Sequence, residues 1–113
     1  MLVRKGTPDV RPDLFGGQGE VRVWNLLAGR DAPPFTAALA CELAPGGRVG
    51  RHVQQHFPEI VVGLGGRGEA RVSSQPQPLE PGDVVHLPLG SALEIINLSS
   101  DEPLAYLIIK ARA

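Results

Sequence analysis

The sequence predicts an all-β domain, a sandwich or barrel of short strands, and three observations support this. The chain of 113 residues contains 14 glycines and 11 prolines, which divide it into short pieces. No segment of helical length keeps the apolar period of about 3.6 residues that an amphipathic helix shows. Instead, short runs rich in Val, Ile and Leu recur with turn residues between them. A chain of this length is expected to form one domain around one core.

Eight strands are predicted, each an apolar run bounded by glycine, proline or small polar residues. The connections between them include AGRDAPP, APGG, GLGGRG, SSQPQPLEPGD, PLGS and LSSDEP. Glycine-rich GLGGRG suits a tight turn between two strands, where a positive φ is needed. In chain order the predicted strands are residues 20–27, 35–43, 48–54, 59–63, 68–72, 83–87, 92–98 and 104–112. Residues 1–19 show little periodicity and are predicted to be an irregular arm, partly ordered by packing.

Composition and charge exclude several classes of partner. The formal net charge is −1, and the arginines are scattered, so the sequence predicts no nucleic-acid or membrane partner. No apolar run approaches the roughly 20 residues that span a bilayer, and the N-terminal residues lack an apolar stretch of signal-peptide length. The single cysteine, Cys41, cannot form an internal disulfide and is expected to be a small core residue. These features predict a cytoplasmic protein.

Residues 46–66 hold a histidine, a glutamine and a glutamate at fixed spacing between glycines. Five residues separate Gly46 from His52, and one residue separates His52 from Gln54. Four residues then precede Glu59, and six more precede Gly66. This spacing resembles the first sequence motif of the cupin family, in which a second histidine stands where Gln54 stands here.

Residues 82–97 resemble the second cupin motif in the same way. Gly82, Pro88, Gly90 and Asn97 all stand at the motif's positions, whereas Leu93 stands where the family has a histidine. The resemblance covers about residues 20–112. It implies a single-domain cupin barrel, also called a double-stranded β-helix or jelly roll, formed by residues 20–113 and preceded by the arm of residues 1–19.

The resemblance also implies an interior metal site, which these substitutions weaken. In metal-binding cupins three histidines and one glutamate converge inside the barrel, and here His52, Gln54 and Glu59 remain. A glutamine amide is a poor ligand for zinc, iron or copper, and Leu93 cannot coordinate a metal. The expected cofactor is therefore none, or a weakly bound divalent metal. If His86 faces inward, His52, His86 and Glu59 would rebuild a set of two histidines and one carboxylate, which suits iron(II).

The predicted interior is a small-ligand pocket with an apolar lining and a few polar groups. His56 is expected in a surface loop, and Leu39 or Cys41 is expected to add to the lining. The first hypothesis is a protein that holds a small organic molecule with weak or no metal binding. The alternatives are a metal-dependent cupin enzyme of the oxygenase or isomerase type, and a structural or sensory protein. Whether the chain is an enzyme stays open. The predicted pocket residues are His52, Gln54, Glu59, Val61, His86, Leu93 and Ile95.

Assembly is predicted from the segment GEVRVWNLL, residues 19–27, which surrounds Trp24. The barrel of a single chain would leave an edge strand that needs cover. We therefore expect a homodimer with this segment at or near the interface.

Overall fold

A computed structural model describes residues 6–113. Its ten strands and one short 3₁₀ turn, Leu14–Gly16, contain every strand that the sequence predicts, with ends that differ by at most two residues. The strands are β1 (Asp9–Pro12), β2 (Glu20–Asn25), β3 (Phe35–Leu43), β4 (Arg48–Val53), β5 (Glu59–Gly65), β6 (Gly68–Val72), β7 (Gln75–Leu79), β8 (Val84–Leu87), β9 (Ala92–Asn97) and β10 (Leu104–Ala111).

The strands form two antiparallel sheets that enclose one core. The larger sheet has the order β1-β2-β3-β10-β5-β8, and the smaller has the order β4-β9-β6-β7. The buried apolar side chains come from both sheets, as expected when each strand alternates between an inner and an outer face. The prediction of an all-β barrel is confirmed. Within residues 6–113, no helix is long and apolar enough to cross a membrane.

Strand β7 lies in SSQPQPLEPGD, a segment predicted to be a connection, and that prediction is wrong. Proline lacks the backbone N–H that a strand residue donates to its neighbour. Pro76 and Pro78 therefore favoured a connection over a strand in the sequence. Both prolines are tolerated because β7 is the edge strand of the smaller sheet, paired with β6. Leu79, at the end of β7, is fully buried and anchors the strand to the core.

Residues 6–19 of the predicted arm are more ordered than the sequence indicates, and residues 1–5 of that arm lie outside the described residues. Strand β1 pairs with β2 and covers the edge that the barrel would otherwise expose. Gln18 and Arg48 then exchange two backbone hydrogen bonds, which fix the arm to β4. Gly17 and Gly50 allow this approach, because a Cβ on Gly50 would lie 2.0 Å from the carbonyl oxygen of Phe15. The backbone of the arm therefore lies directly on β4.

Asn97, at the end of the second motif, uses its whole side-chain amide in hydrogen bonds to the backbone. Its amide nitrogen donates to the carbonyl oxygens of Leu43, Ala44 and Glu102 at 3.2, 3.1 and 2.9 Å. Its side-chain oxygen accepts a bond of 2.9 Å from the backbone N–H of Ser99. Asn97 is buried, and it ties the end of β3 to the connection between β9 and β10.

The outer face of the larger sheet is largely apolar. Residues directly opposite one another on paired strands point to the same face. One outer row runs from Val84 through Val62 to Leu107, and the next runs from His86 through Ile60. Val84 is 60% exposed, whereas Val85, the next residue of the same strand, is buried in the core.

Candidate functional site

A cavity of about 250 Å³ lies inside the barrel between the two sheets. Most of its lining is apolar and comes from β2, β3 and β10 of one sheet and β4 and β9 of the other. The apolar lining includes Val23, Leu39, Val49, Leu93, Ile95 and Ile108. Against this background the polar side chains of the cavity stand out, and each occupies a position that strand pairing fixes.

Glu59 is the buried carboxylate of the cavity. It begins β5 and lies on the inner face between Leu87 of β8 and Lys110 of β10, its partners in the strand register. Its side chain is 1% exposed, and Oε1 lies 3.8 Å from Nζ of Lys110. Its other oxygen, Oε2, is buried without a hydrogen-bond partner among the residues described. Burial raises the pKa of Glu59, and the charge of Lys110 partly opposes the shift.

His52 presents one nitrogen to the cavity as an acceptor. It pairs with Leu93 across β4 and β9, and its Nδ1 lies 2.9 Å from the carbonyl oxygen of Gly50. Because a carbonyl oxygen can only accept, Nδ1 carries the proton and Nε2 is left as an acceptor. Burial lowers the pKa of His52 below its ordinary value of 6.5; the Gly50 bond opposes this, and Lys110 adds to it. The ring is therefore neutral at neutral pH.

The N-terminal arm covers His52 at the open side of the cavity. The ring of Phe15 stacks on the imidazole with a centroid distance of 4.0 Å and an interplanar angle of 13°. Leu14 lines the cavity beside it. Exposed Asp9 and Arg11 also border the cavity and form an ion pair of 2.6 Å with each other. The imidazole is thus held between the aromatic ring of the arm and the carbonyl group of β4.

Cys41 and Tyr106 form a neutral pair on the inner face. They lie opposite each other on β3 and β10, and a side-chain hydrogen bond joins them. Burial raises the pKa of Cys41 to about 12, and it raises the pKa of Tyr106 well above its ordinary value. A thiol with so high a pKa is not an activated nucleophile, which agrees with the expected core role of Cys41.

The structure brings together four of the seven predicted pocket residues. His52, Glu59, Leu93 and Ile95 line the cavity. Gln54 and Val61 are buried, but neither is among the cavity-lining residues. Gln54 follows the end of β4, where a register shift between Val49 and His52 breaks the simple alternation of inward and outward side chains.

The prediction that His86 belongs to the interior pocket is wrong, because His86 does not line the cavity. It is exposed and alternates with the buried residues Val85 and Leu87, which places it on the outer face beside Ile60. His56 is exposed, as expected for a surface loop. Sequence reasoning missed several cavity residues, among them Lys110, which alternation with Ile108 could have placed, and Phe15, which no periodic signal indicated.

The residues present do not fit a metal centre. Across residues 6–113, no three His, Cys, Asp or Glu side chains come together as metal ligands. His52 and Glu59 border the same cavity, but Leu93 stands beside His52 and the ammonium group of Lys110 stands beside Glu59. One imidazole and one carboxylate, with a lysine ammonium as the near neighbour, make a poor site for a divalent cation.

Comparison with known proteins defines the class. The family model described as cupin domain matches residues 39–110, more than half of the chain, so the protein belongs to the cupin family. A crystal structure of a predicted oxalate decarboxylase from Thermotoga maritima is 26% identical, with a TM-score of 0.86 and coverage of 100% of both chains. A cupin 2 conserved barrel domain protein from Salinispora arenicola is 25% identical, with a TM-score of 0.68, and the alignment covers 96% of this chain and 87% of that one.

A more distant structure shows the same fold. A sugar phosphate isomerase of the cupin superfamily from Silicibacter pomeroyi is 20% identical, with a TM-score of 0.72 and coverage of 95% of this chain and 69% of that one. No curated protein matches the chain.

Proposed function

We propose that this cupin binds a small organic molecule inside its barrel and does so without a metal. The observation that carries the proposal is the unpartnered Oε2 of Glu59, buried in a cavity whose lining is mostly apolar. A buried polar atom without a partner is expensive, by about 1–3 kcal/mol, and a ligand that bonded to it would recover that free energy. An apolar pocket with a few convergent polar groups is the usual form of a small-molecule site.

The size of the cavity limits the ligand. An apolar cavity of about 150 Å³ is enough to hold benzene. The cavity of about 250 Å³ therefore has room for one ring, or a short branched chain, with a small substituent. Larger molecules would have to displace Leu14 and Phe15 of the arm, which border the open side.

The alternative is a metal-dependent cupin enzyme of the oxygenase or isomerase type, and two similar structures carry the names of enzymes. One is called a predicted oxalate decarboxylase and the other a sugar phosphate isomerase. One fold hosts many activities, so these likenesses do not assign a reaction here. Elemental analysis of protein purified without a metal-affinity tag separates the two proposals. A full equivalent of a transition metal would overturn metal-free binding, and a substoichiometric content would support it.

Ligand-observed NMR with a library of small fragments tests whether the barrel interior is the binding site. Leu93→Trp should abolish binding, because Leu93 lines the cavity and the larger ring would fill it. Leu98→Trp is the matched control, because Leu98 is 48% exposed. Overpacking costs about 1–3 kcal/mol, so thermal melts must show that Leu93→Trp is folded. Fragments that bind Leu93→Trp as well as the parent would overturn the interior site.

For assembly we propose a homodimer through the outer face of the larger sheet. The segment of residues 19–27 is a poorer choice than the sequence suggested, because β1 covers the edge of β2 and Trp24 is buried. Val84, Val62 and Leu107 instead form an apolar row that a second copy could cover about a two-fold axis. Light scattering should give a dimer mass, which Val84→Arg should reduce and Val10→Arg on β1 should not. A monomeric parent at NMR concentrations would contradict the proposal.

The cytoplasm is the compartment we propose. The one cysteine of the chain is a buried free thiol, which suits a reducing environment.

A further inference from the structure

We infer that the ligand of the interior site is a neutral molecule with a hydrogen-bond donor, a hydroxyl or N–H group, on a small apolar body. The inference rests on the proposed function and names the chemical class of the ligand. Oε2 of Glu59 would accept the donated hydrogen, and the apolar lining would hold the rest of the molecule.

The first step is that Oε2 of Glu59 and Nε2 of His52 are both acceptors. Oε2 of Glu59 is a carboxylate oxygen with a side-chain exposure of 1% and no partner within residues 6–113. The proton of His52 is committed to the carbonyl oxygen of Gly50, so Nε2 also accepts. A ligand that satisfies these atoms must donate.

The second step concerns the donors that the protein already has. Tyr106 and Cys41 bond to each other, and Arg11 bonds to Asp9. The ammonium group of Lys110 is 3.8 Å from Oε1 of Glu59, too far for a good hydrogen bond but close enough to compensate its charge. Lys110 therefore balances the negative charge of the carboxylate, but Oε2 still lacks a short hydrogen bond.

The third step is that charge on the ligand is unfavourable. A ligand ammonium beside Glu59 would lie near Lys110, whose charge also reaches His52 and lowers its pKa. A ligand carboxylate would lie beside the carboxylate of Glu59. Either ion would also lose its hydration in a mostly apolar cavity. A neutral hydroxyl or N–H group avoids both penalties.

Four probes of nearly equal size test the class of ligand. Benzyl alcohol carries a neutral donor, and ethylbenzene, benzylammonium and benzoate replace it with an apolar group, a cation or an anion on the same ring. NMR titration of labelled parent protein should show benzyl alcohol binding about tenfold more tightly than each of the others, since one unmet buried hydrogen bond corresponds to about that factor.

Variants connect the preference to Glu59. Glu59→Leu removes the acceptor and should make benzyl alcohol and ethylbenzene bind equally, whereas Glu102→Leu on the surface should keep the parent's preference. If melts show that Glu59→Leu is unfolded, Glu59→Gln serves instead and should reduce the preference severalfold, because its amide oxygen is a weaker acceptor.

Each contrary result has a distinct meaning. Tightest binding of benzylammonium or benzoate, or equal binding of all four probes, would overturn the neutral-donor inference and leave the small-molecule pocket intact. A preference that survives Glu59→Gln unchanged would overturn the assignment to Glu59. If no probe binds the parent, the inference and the proposed function both fall.

Discussion

Two buried polar side chains, Asn97 and Glu59, lie at opposite ends of the barrel and differ in how well they are satisfied. Asn97 lies near the start of β10 and uses both of its amide atoms in hydrogen bonds to the backbone. Glu59 pairs with Lys110 near the end of β10, at 3.8 Å, and its Oε2 has no partner in the part of the chain that the structure describes.

The difference separates a residue that stabilises the fold from one that the fold tolerates. A buried polar group that is fully bonded fixes the segments it joins, whereas an unsatisfied one lowers stability. Proteins keep such unfavourable groups mainly where function needs them. Both residues occupy motif positions, so the sequence marks them alike, and their hydrogen bonds distinguish them.

The largest expected effect is the loss of Asn97. Asn97→Ala would remove a donor from three carbonyl oxygens, of which that of Ala44 keeps a bond from the N–H of Gly47, and it would remove the acceptor of the Ser99 N–H. We expect the free energy of unfolding to fall by about 3 kcal/mol. Urea denaturation measures this. Asn25→Ala is the matched control, because exposed Asn25 accepts a single bond of 3.3 Å from Ala28 and should cost under about 1 kcal/mol. If the two variants lost similar free energies of unfolding, the hydrogen bonds of Asn97 would not distinguish it as a residue that stabilises the fold.

The next largest effect is expected from a variant that adds a third metal ligand to the cavity beside His52 and Glu59. Leu93→His would add a second imidazole to the cavity that His52 and Glu59 already line. Zinc should then raise the free energy of unfolding by about 2.7 kcal/mol at a hundred times its Kd. The parent should not respond, and neither should Gln54→His, because Gln54 does not line the cavity. A zinc response from the parent would show that two ligands already suffice.

Removing the charge of Glu59 should raise stability rather than lower it. Glu59→Gln keeps the shape of the side chain and removes a carboxylate whose pKa burial raises, while the Lys110 side chain, 32% exposed, keeps contact with water. We therefore expect a gain of about 1 kcal/mol at neutral pH. Since the same substitution should weaken benzyl alcohol binding, it would improve stability at the expense of the proposed function. A loss as large as that of Asn97→Ala would show that Glu59 stabilises the fold.

The dependence of that gain on pH has a definite sign. The pKa of Glu59 is higher in the folded protein than its ordinary value of 4.5, so the folded state binds more protons just above that pH. Parent stability from Glu59 is therefore present below 4.5 and is lost as the pH rises through the folded pKa. The gain of Glu59→Gln over the parent should grow with pH across this window. A gain that is constant with pH would contradict the raised pKa.

The fold was more predictable from the sequence than the site was. Alternating apolar residues and glycine-proline turns located eight strands. Strand β7 was missed because its prolines are unfavourable in most strands and are tolerated only because β7 lies at the edge of its sheet. The cupin-like spacing also placed Glu59 in the interior. It failed for Gln54, which follows a register shift, and Phe15 reaches His52 through an arm that has no period. Contacts that depend on a bulge or an irregular segment are three-dimensional and leave no pattern in the sequence.

The smallest expected effect tests how the arm acts on the site. Phe15 is 56% exposed, so Phe15→Ala should cost little stability, but it would uncover the ring of His52. Because burial is the main cause of the lowered pKa of His52, we expect that pKa to rise toward 6.5. Phe35→Ala is the matched control, since Phe35 is 50% exposed on another part of the surface. An NMR titration of the His52 ring measures the shift. An unchanged pKa in Phe15→Ala would mean that the arm does not shield His52 in solution, and the open side of the cavity would then be wider than the stacked ring allows.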